Sequence, residues 1–186
     1  GISTPVVSVS SAIVAVRTTV DNESRAAAQV TVRHRILDPD GAVVAQGQAK
    51  GRVSANGSRL LGAKLKVRQP MRWAPDTPAL YLLETDIMIG RKVVDTERTT
   101  FGIRSIAFSA NKGFLLNGQP LKFRGGCVHH DNGILGAAAF DRSEERKVEA
   151  LRAAGHNAVR TAHNPPSPAF LEACDRLGML VMDEAF

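Results

Sequence analysis

Along the first hundred residues the chain alternates between apolar and polar positions. In the stretch 28–37, Val30, Val32, His34 and Ile36 share one face, while Thr31, Arg33 and Arg35 share the other. A period of two places one face on a core and the other in water, the mark of a half-buried antiparallel strand. The same reading predicts strands at 7–9, 13–20, 42–48, 61–68, 80–89 and 92–101. Turn chemistry separates them: Asp38-Pro39-Asp40-Gly41, where proline fixes φ and glycine accepts a positive one, then Asn56-Gly57 and Gly90-Arg91. Six or seven strands at this spacing predict a two-sheet, immunoglobulin-like sandwich over 1–104. The cysteine pair of antibody domains is absent from it.

One irregular segment interrupts the sandwich. It runs from Pro70 to Pro78 and holds the single tryptophan, Trp73. The reading preferred here makes Trp73 a plug at one end of the sandwich, or a contact with the following domain, over a sugar-stacking platform.

Beyond Phe101 the period changes. Asn117-Gly118 between apolar runs signals a hairpin. A strand is predicted over 121–128, stopping at His129-His130-Asp131. A helix follows, with Asp141 as its N-cap, Glu144 three residues on, and Val148, Leu151 and Ala154 at helical spacing. Gly155 closes it from the C′ position. The strand 158–161 leads to a second helix, with Ser167 as N-cap, Pro168 at the first position, and Phe170, Leu171, Cys174 and Leu177 on its apolar face. Gly178 ends it, and 179–182 is a continuous apolar strand. The order βαβαβ, with strands apolar on both sides, predicts a right-handed parallel arrangement over 105–186. The fold class is therefore mainly β plus α/β.

Composition narrows the function. Apolar residues at 44% and charged residues at 23% are ordinary globular values. No apolar run approaches the roughly 18 residues of a membrane span, which argues against a membrane partner. No basic segment followed by an apolar one opens the chain, so no signal peptide is visible. The net charge of +6 invites a nucleic-acid reading. The basic residues, however, alternate with apolar ones as on the wet faces of strands, and aromatic stacking platforms are scarce. No nucleic-acid partner is expected. Cys127 and Cys174 have no metal spacing and lie in apolar segments, which predicts two free, buried thiols.

Each of the three parallel strands ends in polar residues: His129-His130-Asp131, then Arg160, His163 and Asn164, then Asp183-Glu184. Ligands of α/β folds bind at the carboxyl ends of parallel strands. A lone histidine is more often structural, but three such ends form a constellation. A metal set of His129, His163 and Asp183 lacks the helical spacing of a zinc site. No Gly-x-Ser-x-Gly elbow supports a serine nucleophile. The remaining chemistry is polyol recognition, in which His, Arg, Asp and Asn offer forked donors and acceptors to ring hydroxyls without a metal.

The stretch Asn157-Ala158-Val159-Arg160-Thr161-Ala162-His163-Asn164-Pro165, followed by Phe170-Leu171, Cys174-Asp175, Gly178 and the apolar strand at 179–182, resembles the first signature of glycoside hydrolase family 2, the β-galactosidase family. Arg124-Gly125 with His129-His130-Asp131, Phe101-Gly102-Ile103-Arg104, and the segment from Trp73-Ala74-Pro75 to Leu80-Tyr81 are similar to it as well. Asn164 stands where many members carry tyrosine. The resemblance implies a jelly-roll domain, an immunoglobulin-like sandwich and a (β/α)8 barrel, of which this chain holds the sandwich and an incomplete barrel segment. A whole barrel needs at least about 200 residues.

By the same resemblance, the parent protein is a retaining exo-glycosidase acting on terminal β-galactosides, with β-glucuronidase and β-mannosidase as near alternatives. A non-catalytic, Ig-like carbohydrate- or protein-binding module is the other reading. The two catalytic glutamates are implied to lie on later strands, beyond Phe186, so no catalytic residue is assigned here and the chain alone is expected to be inactive. His129, Asp131, Arg160, His163, Asn164, Asp183 and Glu184 are the expected substrate-binding residues. The resemblance gives His129 and His163 the sugar hydroxyls. It gives Arg160 the task of orienting the nucleophile and holding it ionised. No cofactor is required by this stretch, and no ligand set for a divalent cation of the parent enzyme is visible in it. The compartment stays open between bacterial cytoplasm and periplasm. Open strand edges predict self-association, with Val159, Val181 and Met182 as candidates for exposure.

Overall fold

The computed structural model describes residues 1–185; Phe186 lies outside the described residues. Two compact units emerge, one of Gly1–Met71 with Leu80–Ser105, the other of Arg72–Ala79 with the chain from Ile106 onward.

The first unit holds β1 (Ile2–Val7), β2 (Ser11–Asn22), β3 (Ala28–Leu37), β4 (Val43–Val53), β5 (Gly57–Arg68), β6 (Leu80–Ile89) and β7 (Lys92–Gly102). They form two antiparallel sheets, ordered β1-β2-β5 and β4-β3-β6-β7. The inward faces interleave Val14, Val16 and Leu65 of one sheet with Ile36, Tyr81 and Leu83 of the other. This is the sandwich that the alternation predicts. His34 lies on the inner face, fully buried, with Nδ1 3.1 Å from Thr85 Oγ1 and no partner for Nε2 among the described residues. Burial first, and the positive N-terminus second, hold its imidazole below the ordinary value of 6.5. On the same strand pair, Arg33 and Arg35 reach Asp86 and Glu84 across the ladder.

The structure corrects two strand readings here. Residues 8–10 are a turn, closed by the Ser8 N–H donating to Ser11 O at 2.8 Å and the Ser11 N–H donating to Ser8 Oγ at 3.0 Å; the strand lies before it. The strand expected over 42–48 continues to Val53, where Gly51 and Val53 are buried.

The second unit opens with a small antiparallel sheet of β8 (Ile106–Ser109), β9 (Gly113–Leu116) and β10 (Gln119–Pro120). Its tight turn has φ of 53° at Asn117 and 80° at Gly118, the pair of positive values a type I′ hairpin requires. Then come β11 (Cys127–Val128), α1 (Asp141–Ala153), β12 (Ala158–Thr161), α2 (Pro168–Leu177) and β13 (Leu180–Met182). The three strands are parallel in the order β11-β12-β13, as the βαβαβ pattern predicts. Ser167 caps α2, its Oγ accepting from the Phe170 N–H at 3.2 Å, and Gly178 takes the left-handed conformation after it. Val148, Val159, Phe170, Ala173, Cys174 and Met179 form the core between the helices and the sheet.

Several expectations fail in this unit for identifiable reasons. The strand expected over 121–128 pairs as a ladder only at its last two residues. Before them the buried Asn157 amide replaces the ladder: Oδ1 accepts from the Arg124 N–H at 2.8 Å and Nδ2 donates to Lys122 O at 3.0 Å. Asp141 is not a cap but the first residue of α1, and Phe140 stands at the cap position without a side-chain bond. Glu144 turns instead to Asn132 Nδ2 at 2.8 Å and Lys147 Nζ at 3.3 Å. Val159 is 3% exposed under the helices, while Met182, on the opposite face, is 57% exposed.

Trp73 is fully buried, belongs to the second unit, and donates Nε1–H to Asp175 O at 2.7 Å, so it offers no ring face to a sugar. Arg152 Nη2 donates to Pro75 O at 3.0 Å, pinning the same segment. Of the cysteines, Cys174 is buried as expected, its thiol pushed up to about 12 by desolvation, but Cys127 is exposed. No helix among the described residues is long and apolar enough to cross a membrane.

Candidate carbohydrate site at the strand ends

Register decides which side chains meet. Cys127 lies opposite Arg160, and Arg160 opposite Met182, so the three side chains project from one face of the parallel sheet. Val159, a neighbour of Arg160 in sequence, points the other way into the helix-covered core. The alternation therefore delivers Arg160 to the face that the helices leave open.

Arg160 is the centre of the cluster. Its Nε and Nη2 both reach Glu184 Oε1, and its Nη1 lies 3.7 Å from Cys127 Sγ. These contacts, Glu184 first, raise the guanidinium above its ordinary value. His163 Nδ1 is 3.3 Å from the other oxygen, Glu184 Oε2. The His129 ring stands edge-on to the His163 ring with centroids 6.0 Å apart. The peptide between Ala162 and His163 is cis. Four expected site residues, from the ends of all three strands, thus form one group: His129, Arg160, His163 and Glu184.

The other three are placed differently. Asp183 Oδ1 accepts from Thr161 Oγ1 at 3.1 Å, so it braces β13 against β12. Asn164 is exposed, donates Nδ2–H to Pro165 O at 3.2 Å, and lines a shallow depression with His129, His130 and Thr161. Asp131 is exposed, and its backbone N–H donates to His129 O at 2.9 Å.

Thr161 and Cys127 take part without having been picked out from the sequence. Thr161 is buried, donates to Asp183, and accepts from the Glu184 N–H at 3.3 Å. In the sequence it looks like the end of an apolar strand, and only the pairing with β13 reveals its role. Cys127 could be found only from its register with Arg160. Among the described residues no three His, Cys, Asp or Glu side chains converge as a ligand set for a metal ion.

An exposed imidazole pair, an anchored guanidinium and an exposed amide are a polar, mostly donor-rich surface. Such a surface can offer hydrogen bonds to vicinal hydroxyls.

Residues 2–104 match the family model described as glycosyl hydrolases family 2, and residues 109–186 match that family's TIM barrel domain. A β-galactosidase of Bacteroides ovatus is 42% identical over 94% of the chain, which spans 21% of that relative. A β-glucuronidase of Rattus norvegicus is 35% identical over 81% of the chain and 22% of its own length. Among solved structures, a family 2 glycosyl hydrolase from Bacteroides cellulosilyticus superimposes with a TM-score of 0.96 at 47% identity, covering all of this chain and 26% of its own. A β-glucuronidase from Bacteroides uniformis gives 0.93 at 33% identity, covering 99% of this chain and 22% of its own. The chain spans about a fifth of the length of these curated relatives.

Proposed function

The chain belongs to glycosyl hydrolase family 2, and from that premise we propose that it forms part of a retaining exo-glycosidase that hydrolyses terminal β-galactosides. In this reading the strand ends of β11, β12 and β13 are one wall of the sugar site. His129 and His163 bond ring hydroxyls, Asn164 and Asp131 lie at the rim, and Arg160 faces the reacting centre. The observation that carries the reading is the convergence of His129, His163 and Arg160 on one face at the carboxyl ends of parallel strands.

Retaining hydrolysis requires an acid/base and a nucleophile whose carboxyl groups stand about 5–5.5 Å apart. Asp183 and Glu184 do not serve as that pair in this account. They are adjacent along the chain, and one is bonded to Thr161 and the other to Arg160. The catalytic carboxyls are assigned to other parts of a longer polypeptide. The role left for Arg160 is to hold such a carboxylate ionised and oriented.

A glucuronide would bring a carboxylate of its own. Arg160 is already matched by Glu184, and Lys147, beside the same depression, by Glu144. This stretch therefore presents a uronate with little uncompensated charge, which favours the neutral galactoside.

The test is a panel of p-nitrophenyl β-galactoside, β-glucuronide and β-mannoside, assayed with the full-length polypeptide that carries this sequence. The galactoside should have the highest kcat/KM; a glucuronide or mannoside preference overturns the substrate assignment. The 186-residue chain alone should turn over none of them.

A further inference from the structure

Glu184 is an unusual candidate for a sugar ligand. It follows β13, yet both its carboxylate oxygens face residues of β12 and the turn after it. Oε1 takes the two-pronged contact from Arg160, and Oε2 lies 3.3 Å from His163 Nδ1. Oε2 has almost no surface open to solvent. The main chain is fixed as well, since the Glu184 N–H donates to Thr161 Oγ1, whose hydroxyl is bonded to Asp183. Exposure divides the group in the same way. The Arg160 and His163 side chains are 45% and 72% exposed, but that of Glu184 is only 20% exposed. Arg160 and His163 keep surface for a ligand, whereas Glu184 keeps little: Oε1 is taken by Arg160, and Oε2 is buried beside His163 without a hydrogen bond of its own among the described residues.

We propose that Glu184 is a positioning residue: its carboxylate sets the direction of Arg160 and His163 and does not touch the sugar. The proposal rests on reading these strand ends as a sugar site. Its physical basis is the stem of arginine, which samples many rotamers when free. A guanidinium gripped through Nε and Nη2 is held in one orientation, with its remaining nitrogen directed elsewhere. The same carboxylate faces the imidazole that follows β12, so one side chain aligns two groups from a neighbouring strand. Thr161, bonded to the Glu184 main chain, keeps that carboxylate in register.

The experiment is a double-mutant cycle in the full-length enzyme, with p-nitrophenyl β-galactoside as probe. Glu184→Gln keeps the shape but weakens the grip, and Arg160→Lys removes the fork. Glu184→Gln should lower kcat/KM about 100-fold, the size of loss that misplacing an active-site group produces. It should raise KM while leaving Tm unchanged. Combined with Arg160→Lys it should lose no more than the worse single variant, because the two act as one unit. Multiplicative losses would mean a direct sugar contact and would overturn the proposal. A fall in Tm with kcat reduced and KM unchanged would mean a purely structural role and would also overturn it. If Glu184→Gln does not fold, Glu184→Asp, which keeps the charge but shortens the reach, carries the same cycle. If the wild-type enzyme hydrolyses no β-glycoside, the functional reading fails and this inference with it. If it hydrolyses one and the cycle is multiplicative, this inference alone fails.

Discussion

The two units solve the problem of burying a sheet in opposite ways. The sandwich closes on itself: each sheet buries its inward face on the other, so Val14, Ile36 and Leu83 leave the solvent together. The parallel sheet is covered on one side only. Helices bury Val159 and its neighbours, while Cys127, Arg160 and Met182 remain on the other face. The difference teaches where each unit can carry chemistry. In the sandwich, a polar group on the inner face has only its neighbours there to bond: His34 finds Thr85 at Nδ1, and its Nε2 finds none among the described residues. In the second unit the uncovered face can hold charged groups without deep burial, and the candidate site residues gather there.

The division between the two units meets its hardest test at Trp73. It lies in sequence between strands of the sandwich, but its indole is buried in the second unit. Trp73→Ala should cost about 3–5 kcal/mol, as large aromatic truncations do. Hydrogen exchange should show faster opening of α1, α2 and β12, not of β2 and β3. Loss of protection in the sandwich strands first would contradict the assignment.

Gly125 offers the next largest effect. A Cβ there would lie 1.7 Å from Ala158 O, a backbone atom that cannot yield. Gly125→Ala should destabilise the second unit by about 3 kcal/mol and separate the loop before β11 from β12. Chemical denaturation checks the loss, and an unchanged midpoint would refute the close approach.

His34 sharpens the sandwich side. Its folded value lies below 6.5 because burial disfavours the charged ring, so the unfolded chain binds the proton more readily. Stability is full above the unfolded value and falls as pH drops below it toward the folded one. His34→Leu should flatten that slope in urea titrations. An equal slope in both proteins would assign the pH dependence to other groups.

The smallest effect is kinetic and compares the two faces of the parallel sheet. A maleimide should label Cys127 rapidly and Cys174 only on unfolding, since the second thiol is buried and held at about 12. Equal labelling rates would mean that the helix-covered face is as open as the other.

How much of this was legible in the sequence depends on what each feature needs. The period of two in 28–37 and the hairpin of 80–89 with 92–101 require only local pattern, and the strands appear there. The caps at Ser167 and Gly178 were likewise readable from residue type alone. Residues 121–126 were not, because a side chain from Asn157, thirty-odd positions on, supplies the bonds a ladder would have made. For the site, the sequence shows that polar residues end three strands. It does not show that Glu184 meets Arg160 or that Thr161 joins Asp183. Those pairs depend on the register of β12 against β13, which no local pattern encodes.

The central claim is that the strand ends form a wall that binds sugar hydroxyls, and His163 tests it most directly. Its side chain is 72% exposed and contributes little to the fold. In the full-length enzyme with p-nitrophenyl β-galactoside, His163→Ala should leave Tm unchanged and lower kcat/KM by about 10- to 100-fold, the loss of one or two hydrogen bonds to the sugar. Wild-type kcat/KM in that variant would contradict the account.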